Sequence, residues 1–177
     1  TERDEFVYHE MMMHVPLLTH PDPKSVLIIG GGDCGCVREA LKHSGLERVV
    51  QCEIDERVTA VSELFYPWVT EVKKDPRVEV LFDDGVAYIE NNKGSFDLIV
   101  IDSTDPVGPA EALFKAPFYQ KVSEALKPGG IMTAQTESPH YASDLVAGIY
   151  QEQRLAFSLV KPYVVSIPTY PSGLFTL

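Results

Sequence analysis

Two carboxylates three residues apart, Asp102 and Asp105, are the residues of this chain best suited to chemistry. They stand in one loop with Ser103 and Thr104, directly after the apolar run 98–101. Two acids on one loop can point into the same pocket, where either can hold an ammonium group or take its proton. Turn formation by Asp105-Pro106 alone is the competing interpretation.

Three further apolar runs also end in carboxylates. Asp33 follows 26–29, Glu53 and Asp55 follow 49–52, and Asp83 and Asp84 follow 78–82. Continuous apolar runs are typical of strands buried on both faces, and in an open parallel sheet ligands bind outside the carboxyl ends of such strands. We therefore expect one acidic crevice, suited to a positively charged ligand rich in hydroxyls or amines.

A glycine loop follows the first of these runs. Gly30, Gly32 and Gly35 satisfy the dinucleotide fingerprint G-x-G-x-x-G, and Glu53 lies at a suitable distance for ribose hydroxyls. A nicotinamide cofactor is one interpretation, but Asp33 within the loop would repel a pyrophosphate. An adenosine that carries a cationic sulfonium meets no such objection.

Several other side chains could complete the site. Asp84-Gly85 suits an adenine amino group or a ribose, unless Asp84 only caps a helix at Val86. Tyr8 and Tyr170 can wall a pocket with ring faces and hydroxyls, although either can be simple packing. His9, taken alone, is typical of a structural histidine. The other histidines show no metal-ligand spacing, so we expect no metal site.

Composition narrows the class of protein. The chain has 177 residues and a net charge of −11, which argues against nucleic-acid binding and fits cationic substrates or simple solubility. No apolar stretch approaches the ~20 residues of a membrane helix. The three cysteines form no disulfide framework, so the expected compartment is the reducing cytoplasm.

The elements that must position these residues alternate along the chain. Predicted strands are 25–29, 48–53, 78–82, 96–101, 131–136 and 159–166. The first predicted helix begins at Asp4, which is a possible cap. Further predicted helices span 37–43, 56–65, 86–91, 118–126 and 143–157. Pro16 should kink or end the first helix, and 66–76 is predicted as a connector. The alternation predicts one α/β domain over residues 1–177, a parallel sheet with helices on both faces.

With these residues in hand, the chain closely resembles the spermidine synthase family of polyamine aminopropyltransferases, its bacterial members in particular. The matching segments are the opening 1–11, the glycine loop 26–33, the active-site loop 102–109 and the late loop 167–173. The resemblance implies a Rossmann-like fold of the S-adenosylmethionine-dependent methyltransferase type. It also implies a chain truncated at both ends, without the family's amino-terminal β domain.

The resemblance implies transfer of an aminopropyl group from decarboxylated S-adenosylmethionine to putrescine, giving spermidine and methylthioadenosine. Asp102 corresponds to the proton acceptor. The implied polyamine-binding residues are Tyr8, His9, Asp33, Asp102, Ser103, Thr104, Asp105 and Tyr170. The implied nucleoside-binding residues are Gly30, Gly32, Glu53, Asp84, Gly85 and Pro109. No cofactor is implied beyond the co-substrate, and the implied assembly is a homodimer or homotetramer, without nucleic-acid or membrane partners.

Two cysteines depart from the family pattern. The family usually has glycine at the position of Cys34 and rarely has cysteine at that of Cys36. A side chain at Cys34 is expected to crowd the ligand, or to strain the loop if φ is positive there, and a thiol at a helix start could be unusually reactive. Two alternatives therefore stay open: a methyltransferase of the same fold that uses intact S-adenosylmethionine, and an inactive homologue that serves as a binding or assembly module.

Overall fold

A five-stranded parallel sheet forms the centre of the molecule in the computed structural model, which describes residues 3–170 and 172–177 apart from the side chain of Pro109. The strands are β1 (Ser25–Gly30), β2 (Arg48–Glu53), β3 (Val78–Phe82), β4 (Phe96–Asp102) and β5 (Leu126–Ala134), in the order β3-β2-β1-β4-β5. The order reverses between β1 and β4, and such a reversal opens a crevice at the carboxyl ends of the strands.

Helices cover both faces of the sheet, as predicted. They are α1 (Glu5–Thr19), α2 (Gly35–Leu41), α3 (Glu56–Phe65), α4 (Pro67–Val72), α5 (Gly85–Asn91), α6 (Ala116–Ala125) and α7 (Ser143–Arg154), with a 3₁₀ helix at Gly108–Phe114. Val26 and Ile28 of β1 pack in the core with α1, α2 and α4, whereas Leu27 and Ile29 pack in the core with α5, α6 and α7. Because successive side chains of a strand point to opposite faces of the sheet, one apolar run contributes residues to both cores.

A hydrogen-bonded lock joins the amino ends of β1 and β4. The Oδ2 atom of Asp97 accepts hydrogen bonds from the backbone N–H of Lys24 at 3.0 Å and from that of Ser25 at 2.8 Å. It also accepts from the Ser25 hydroxyl at 2.8 Å and from the Lys127 ammonium group at 2.9 Å. This end of the sheet lies opposite the carboxyl ends and carries none of the predicted site residues.

Several sequence-based boundaries were wrong, among them those of α6, predicted over 118–126, and of α7, predicted over 143–157. The predicted connector 66–76 contains α4, which begins at Pro67, a residue preorganised for the first helical position. Helix α2 begins at Gly35 rather than at residue 37. Pro16 was predicted to kink or end α1, and of these the end does not occur there, since the helix continues to Thr19. Asp4 stands at the N-cap position, but its side chain makes no capping hydrogen bond.

The last predicted strand, 159–166, was also wrong in extent and pairing. Only β6 (Val164–Ser166) forms, and it pairs antiparallel with β7 (Leu174–Thr176) in a separate two-stranded sheet. Pro162 offers no N–H to a ladder, which explains why the strand begins only after it. The fifth strand starts earlier than predicted, at Leu126, and its register against β4 shifts between Phe96 and Leu98.

Within the described part of the chain, no helix is long and apolar enough to cross a membrane.

Candidate active site

The glycine loop and Asp102 meet at the reversal of strand order. Gly30 at the end of β1 lies in register with Asp102 at the end of β4, and the N–H of Gly31 donates to the Asp102 carbonyl at 2.9 Å. Gly30 and Gly31 have positive φ values of 83° and 65°. A Cβ atom on Gly30 would lie 2.3 Å from the Asp102 carbonyl oxygen, and one on Gly31 would lie 2.7 Å from its Oδ2. Glycine is therefore required for the loop to approach this carboxylate.

Both carboxylate oxygens of Asp102 accept a hydrogen bond from an uncharged donor. The Tyr8 hydroxyl donates to Oδ1 at 2.5 Å, and the Cys36 thiol donates to Oδ2 at 3.4 Å. Burial of the carboxyl group raises the pKa of Asp102, and the nearby charge of Asp33 acts in the same direction. These contacts orient the carboxylate, and the raised pKa makes it a stronger base than an ordinary aspartate.

His9 lies between two acids. Its Nδ1 is 2.6 Å from Oε2 of Glu5, and its Nε2 is 3.5 Å from Oδ2 of Asp33. Burial alone would lower the pKa of His9, but the Glu5 hydrogen bond and the charges of Asp33 and Asp102 outweigh it and raise the pKa. A Cβ atom at Gly35 would lie 2.3 to 2.5 Å from the His9 ring, so this glycine makes room for the histidine.

Asp33 presents a partly exposed carboxylate beside this histidine. Its Oδ1 accepts from the N–H of Gly35 at 2.8 Å, and its backbone carbonyl accepts from the indole N–H of Trp68 at 2.9 Å. Gln51, which is fully buried, donates from Nε2 to the Gly31 carbonyl at 2.8 Å. The loop that carries Asp33 is therefore held from two sides.

An aromatic wall runs from the first helix to the late loop. Phe175 meets Tyr8 edge to face at a centroid distance of 6.4 Å and stacks on Tyr170 at 4.6 Å. Burial raises the pKa of Tyr170, and the charges of Asp105 and Asp102 add to the rise. Both predicted tyrosines thus belong to one surface that faces the acids. Thr1 and Glu2, at the start of the first matching segment, and Pro171, within the last one, lie outside the described residues.

The loop after Asp102 is held mainly through its backbone. The Ser103 carbonyl accepts from Nε2 of Gln135 at 2.8 Å, and the N–H of Val107 donates to the Asp105 carbonyl at 2.7 Å. The side chains of Thr104 and Asp105 are exposed. The side chain of Pro109, predicted at the nucleoside, lies outside the described part of the structure.

Three of the predicted nucleoside residues, Glu53, Asp84 and Gly85, lie directly at or after the ends of β2 and β3. Glu53 is buried, its Oε1 accepts from the N–H of Asp55 at 3.0 Å, and its Oε2 faces Gly32, where a Cβ atom would be 3.0 Å away. Asp84 is exposed and caps α5 through the N–H of Val86 at 2.8 Å. The helix-cap interpretation of Asp84 is thus confirmed, and a capping carboxylate still has a second oxygen for a ligand.

The remaining strand-end acids have local partners. Asp55 caps α3 by accepting from the N–H of Arg57 at 3.0 Å, and Asp83 accepts from the N–H of Asp84 at 2.8 Å. Gly85 lies against Ile29, because a Cβ atom there would be 2.6 Å from a methyl group of that residue.

Cys34 strains the loop but does not enter the crevice. Its φ of 58° lies in the left-handed region, and its side chain is fully buried in the core that includes α1 and α2. Burial, with the charge of Asp33, raises the pKa of the Cys34 thiol to about 12. The positive φ on which the expected strain depended is confirmed. Burial of the thiol and its raised pKa argue against unusual reactivity and against contact with a ligand, and both stay predictions that labelling with a thiol reagent can test.

Two other features lie away from these acids. A cavity of about 700 Å³ borders β5 and the segment 158–163 and includes none of the predicted site residues. Glu10, His14 and Glu39 bring donor atoms within 4.8 Å of one another, but the ammonium group of Lys42 already lies 2.5 Å from Oε2 of Glu39. We assign no ligand to either feature.

The sequence analysis did not predict the supporting roles of seven residues, although it singled out Cys36 for another reason. These are Glu5, Cys36, Arg38, Gln51, Trp68, Gln135 and Phe175. Only the Glu5–His9 pair carried a readable signal, since residues four apart on a helix are neighbours. The others reach the site through contacts across long stretches of sequence.

Comparison with known proteins identifies a family that this chain matches. Residues 5–177 match the family described as spermine/spermidine synthase domain. The polyamine aminopropyltransferase of Thermoanaerobacter sp. (strain X514) is 51% identical over 176 residues, which cover 99% of this chain and 64% of that protein. The polyamine aminopropyltransferase of Leptospira biflexa serovar Patoc is 48% identical over 174 residues, covering 98% of this chain and 62% of that protein.

Solved structures agree with the sequence comparison. A spermidine synthase in complex with the transition-state analogue AdoDATO is 42% identical and superposes with a TM-score of 0.95, covering 99% of this chain and 60% of that one. The spermidine synthase of Thermotoga maritima is 41% identical with a TM-score of 0.92, at the same coverage of 99% and 60%. The chain thus spans less than two-thirds of the length of these relatives. A family match over nearly every residue, with the same fold, means that the chain belongs to the spermine/spermidine synthase family.

Proposed function

We propose that this chain is the catalytic part of a polyamine aminopropyltransferase, which transfers an aminopropyl group from decarboxylated S-adenosylmethionine to putrescine. The observation that carries the proposal is the carboxylate of Asp102, held by Tyr8 at 2.5 Å beside the glycine loop. The relatives named above support it, because they are 41–51% identical to this chain and the two solved ones share its fold.

Asp102 is the proposed proton acceptor. A protonated amine has no lone pair, so attack on the carbon next to the sulfonium requires removal of a proton. The amine nitrogen then forms a bond to that carbon, the carbon–sulfur bond breaks, and sulfur keeps the electron pair. The products are spermidine and neutral methylthioadenosine, and the proton moves to Asp102. General-base help of this kind contributes typically ~10²–10⁴-fold.

The nucleoside of the donor is assigned to the ends of β1, β2 and β3. Glu53 can accept hydrogen bonds from both ribose hydroxyls, and Asp84 with Gly85 suits the adenine amino group. Gly30 and Gly32 allow the backbone to approach the donor closely. Pro109 completes this set by resemblance.

The amines are assigned to the acids near α1. Asp33, with His9, attracts an ammonium group, and Asp105 does the same at the other end of the acceptor, with Ser103 and Thr104 in the same loop. Tyr8 and Tyr170 border the amine with ring faces, which favour cations. Asp33 also repels the carboxylate of intact S-adenosylmethionine, so the charge selects the decarboxylated donor.

The test is to incubate the natural protein that contains this chain with the decarboxylated donor and putrescine, cadaverine, agmatine or spermidine, and to identify the products by mass spectrometry. We expect methylthioadenosine together with spermidine from putrescine. Intact S-adenosylmethionine serves in a parallel reaction. A methylated amine in that reaction, or no methylthioadenosine with any amine, overturns the proposal in favour of a methyltransferase or a binding module.

We propose, further, that the protein works in the cytoplasm as a homodimer or homotetramer and needs no cofactor. All three cysteines are free thiols, as in a reducing compartment. Side chains exposed on or next to α3 form an apolar patch: Ile54, Val58, Val61, Leu64 and Phe65. A patch of this kind marks an interaction surface, and we assign it to a second copy.

Light scattering tests the assembly. We expect a multiple of the monomer mass, reduced by Leu64→Lys, which adds a charge to the patch. Leu155→Lys is the matched control, because Leu155 is as exposed as Leu64, 70% against 78%, but lies outside α3. A monomeric wild type, or equal effects of the two substitutions, contradicts this assignment.

A further inference from the structure

A closed ring of contacts surrounds the His9–Asp33 pair. Glu5 contacts His9, His9 faces Asp33, and the Asp33 carbonyl accepts from the Trp68 indole. The guanidinium of Arg38 lies 4.5 Å from the centre of the Trp68 ring and donates two hydrogen bonds to Glu5, each of 3.0 Å. The ring therefore ties α1, the glycine loop, α2 and α4 to one another at the acid crevice.

Glu5 is a permanent carboxylate within this ring. Its burial alone would raise the pKa, but the hydrogen bonds from His9 and Arg38 and their charges outweigh it and lower the pKa of Glu5 to about 2. A carboxylate only accepts hydrogen bonds, so Nδ1 of His9 must carry a proton. Nε2 is therefore the nitrogen that faces Asp33 and the crevice.

The state of Nε2 decides what can bind beside Asp33. Unprotonated Nε2 has a lone pair and accepts a hydrogen bond from an ammonium group. Protonated Nε2 makes an imidazolium, which neutralises Asp33 and competes with the amine. The groups that face His9 are Glu5 from α1, Asp33 from the glycine loop and Asp102 from β4, with Arg38 of α2 one contact further away.

We propose that Glu5 is a positioning residue of the amine site, which fixes the His9 ring with Nδ1 protonated and so leaves Nε2 to either the acceptor amine or a proton. This inference rests on the proposed aminopropyl transfer. In mildly acidic solution, the protonated His9 ring then competes with the acceptor amine for Asp33, because the Glu5 charge favours the imidazolium. Amine affinity then falls with pH through His9 in addition to the protonation of Asp102, whose charge favours the same imidazolium.

Kinetics separate the two routes. In the wild type, the KM for putrescine should rise as the pH falls through the His9 pKa, by up to about tenfold per pH unit. Glu5→Gln keeps a hydrogen-bond acceptor and removes the charge, so the rise in KM should move to lower pH. The acid limb of kcat, which reports Asp102, should move less. Glu10→Gln, on the same helix, removes a charge away from the ring and is the matched control.

Nuclear magnetic resonance of the His9 ring gives a readout independent of turnover. We expect the tautomer protonated on Nδ1 at high pH, and a His9 pKa that is lower in Glu5→Gln than in the wild type and in Glu10→Gln. If the neutral His9 ring of the wild type carries its proton on Nε2, the inference is overturned, even if Glu5→Gln fails to fold. An unchanged His9 pKa and KM profile in a folded Glu5→Gln protein does the same. Absence of aminopropyl transfer in the wild type would instead overturn the proposed function, while the resonance result for Glu5 stands.

Discussion

Asp102, the proposed base, combines two properties that a general base needs. Burial raises its pKa, and two uncharged donors hold both oxygens in place. A thiol is a weak donor, so Cys36 can orient Oδ2 with less loss of basicity than a hydroxyl or a cation would cause. The carboxylate is thus both oriented and basic.

Replacing Asp102 by Asn should lower kcat by roughly 10²–10⁴-fold, because the amide keeps the shape but accepts no proton. Methylthioadenosine should bind the variant with nearly the wild-type Kd in calorimetry, since Glu53 and Asp84 are untouched. Asp55→Asn is the control for loss of a strand-end carboxylate, and its kcat should stay close to that of the wild type. Wild-type turnover in Asp102→Asn would falsify the assignment of the base.

At the scale of elements, the loop before α2 stores strain at one residue. Cys34 holds a left-handed backbone, which costs a residue other than glycine roughly 1–2 kcal/mol. Its neighbours Gly31 and Gly35 already serve the close approach of Asp102 and His9.

Cys34→Gly should therefore be more stable than Cys34→Ala, by about 1 kcal/mol in urea unfolding. Both variants lose the buried thiol, so they differ in the strain of the left-handed backbone and in the buried Cβ methyl group that only alanine keeps. Ala40→Gly, within α2, should show the opposite sign, since glycine weakens a regular helix by roughly 0.5–1 kcal/mol. Equal stability of the two Cys34 variants would show that the strain is absorbed elsewhere.

The lock at the amino ends of β1 and β4 predicts a pH effect. Four hydrogen bonds to Oδ2 outweigh burial and lower the pKa of Asp97 from 3.8 to about 2. A carboxyl group whose pKa is lower in the folded state stabilises the fold above its unfolded pKa and loses that contribution as the pH falls to its folded pKa. The window is therefore about pH 4 to about pH 2, and the contribution is about 2 kcal/mol.

Asp97→Asn should lower the free energy of unfolding at pH 5, and the difference from the wild type should shrink as the pH falls to about 2. Denaturant unfolding at a series of pH values measures this. Asp22→Asn, an exposed acid beside the same strand end, should show little difference at any pH. A difference between Asp97→Asn and the wild type that is constant across the window would contradict the linkage.

Sequence reasoning worked where a pattern is local and failed where contacts are distant. The apolar runs predicted the five central strands, and their carboxyl ends correctly brought Asp33, Glu53, Asp84 and Asp102 to one edge. Helix α4 was missed because six residues carry too little periodicity, although Pro67 is a start signal. Phe175 and Arg38 were missed because nothing near them in the sequence indicates that they face Tyr8 or Glu5.

At the scale of the molecule, the net charge of the chain and the acids of the crevice have the same sign. The chain carries a net charge of −11, and the crevice gathers acids that belong to the proposed amine site. A strongly charged surface attracts ions of opposite sign over a distance set by salt, about 10 Å at 0.1 M.

Salt should therefore lower kcat/KM for a diamine several-fold between about 0.02 M and about 0.2 M sodium chloride. A monoamine of similar length is the control, and it should lose less, because it carries one charge rather than two. The ratio of the two kcat/KM values, measured at each salt concentration, checks this. A ratio independent of salt would contradict steering by the acidic surface.

The lock at Asp97 also has a geometric consequence. The strands β1 and β4 are paired in register from Val26 and Leu98 to Gly30 and Asp102, and the lock sets their starting point. A slip of one residue would displace Asp102 by about 3.3 Å and turn its side chain to the other face of the sheet. Asp97 thus fixes the register that places Asp102, the proposed proton acceptor, so a change at the amino ends of these strands can misplace the proposed active site at their carboxyl ends.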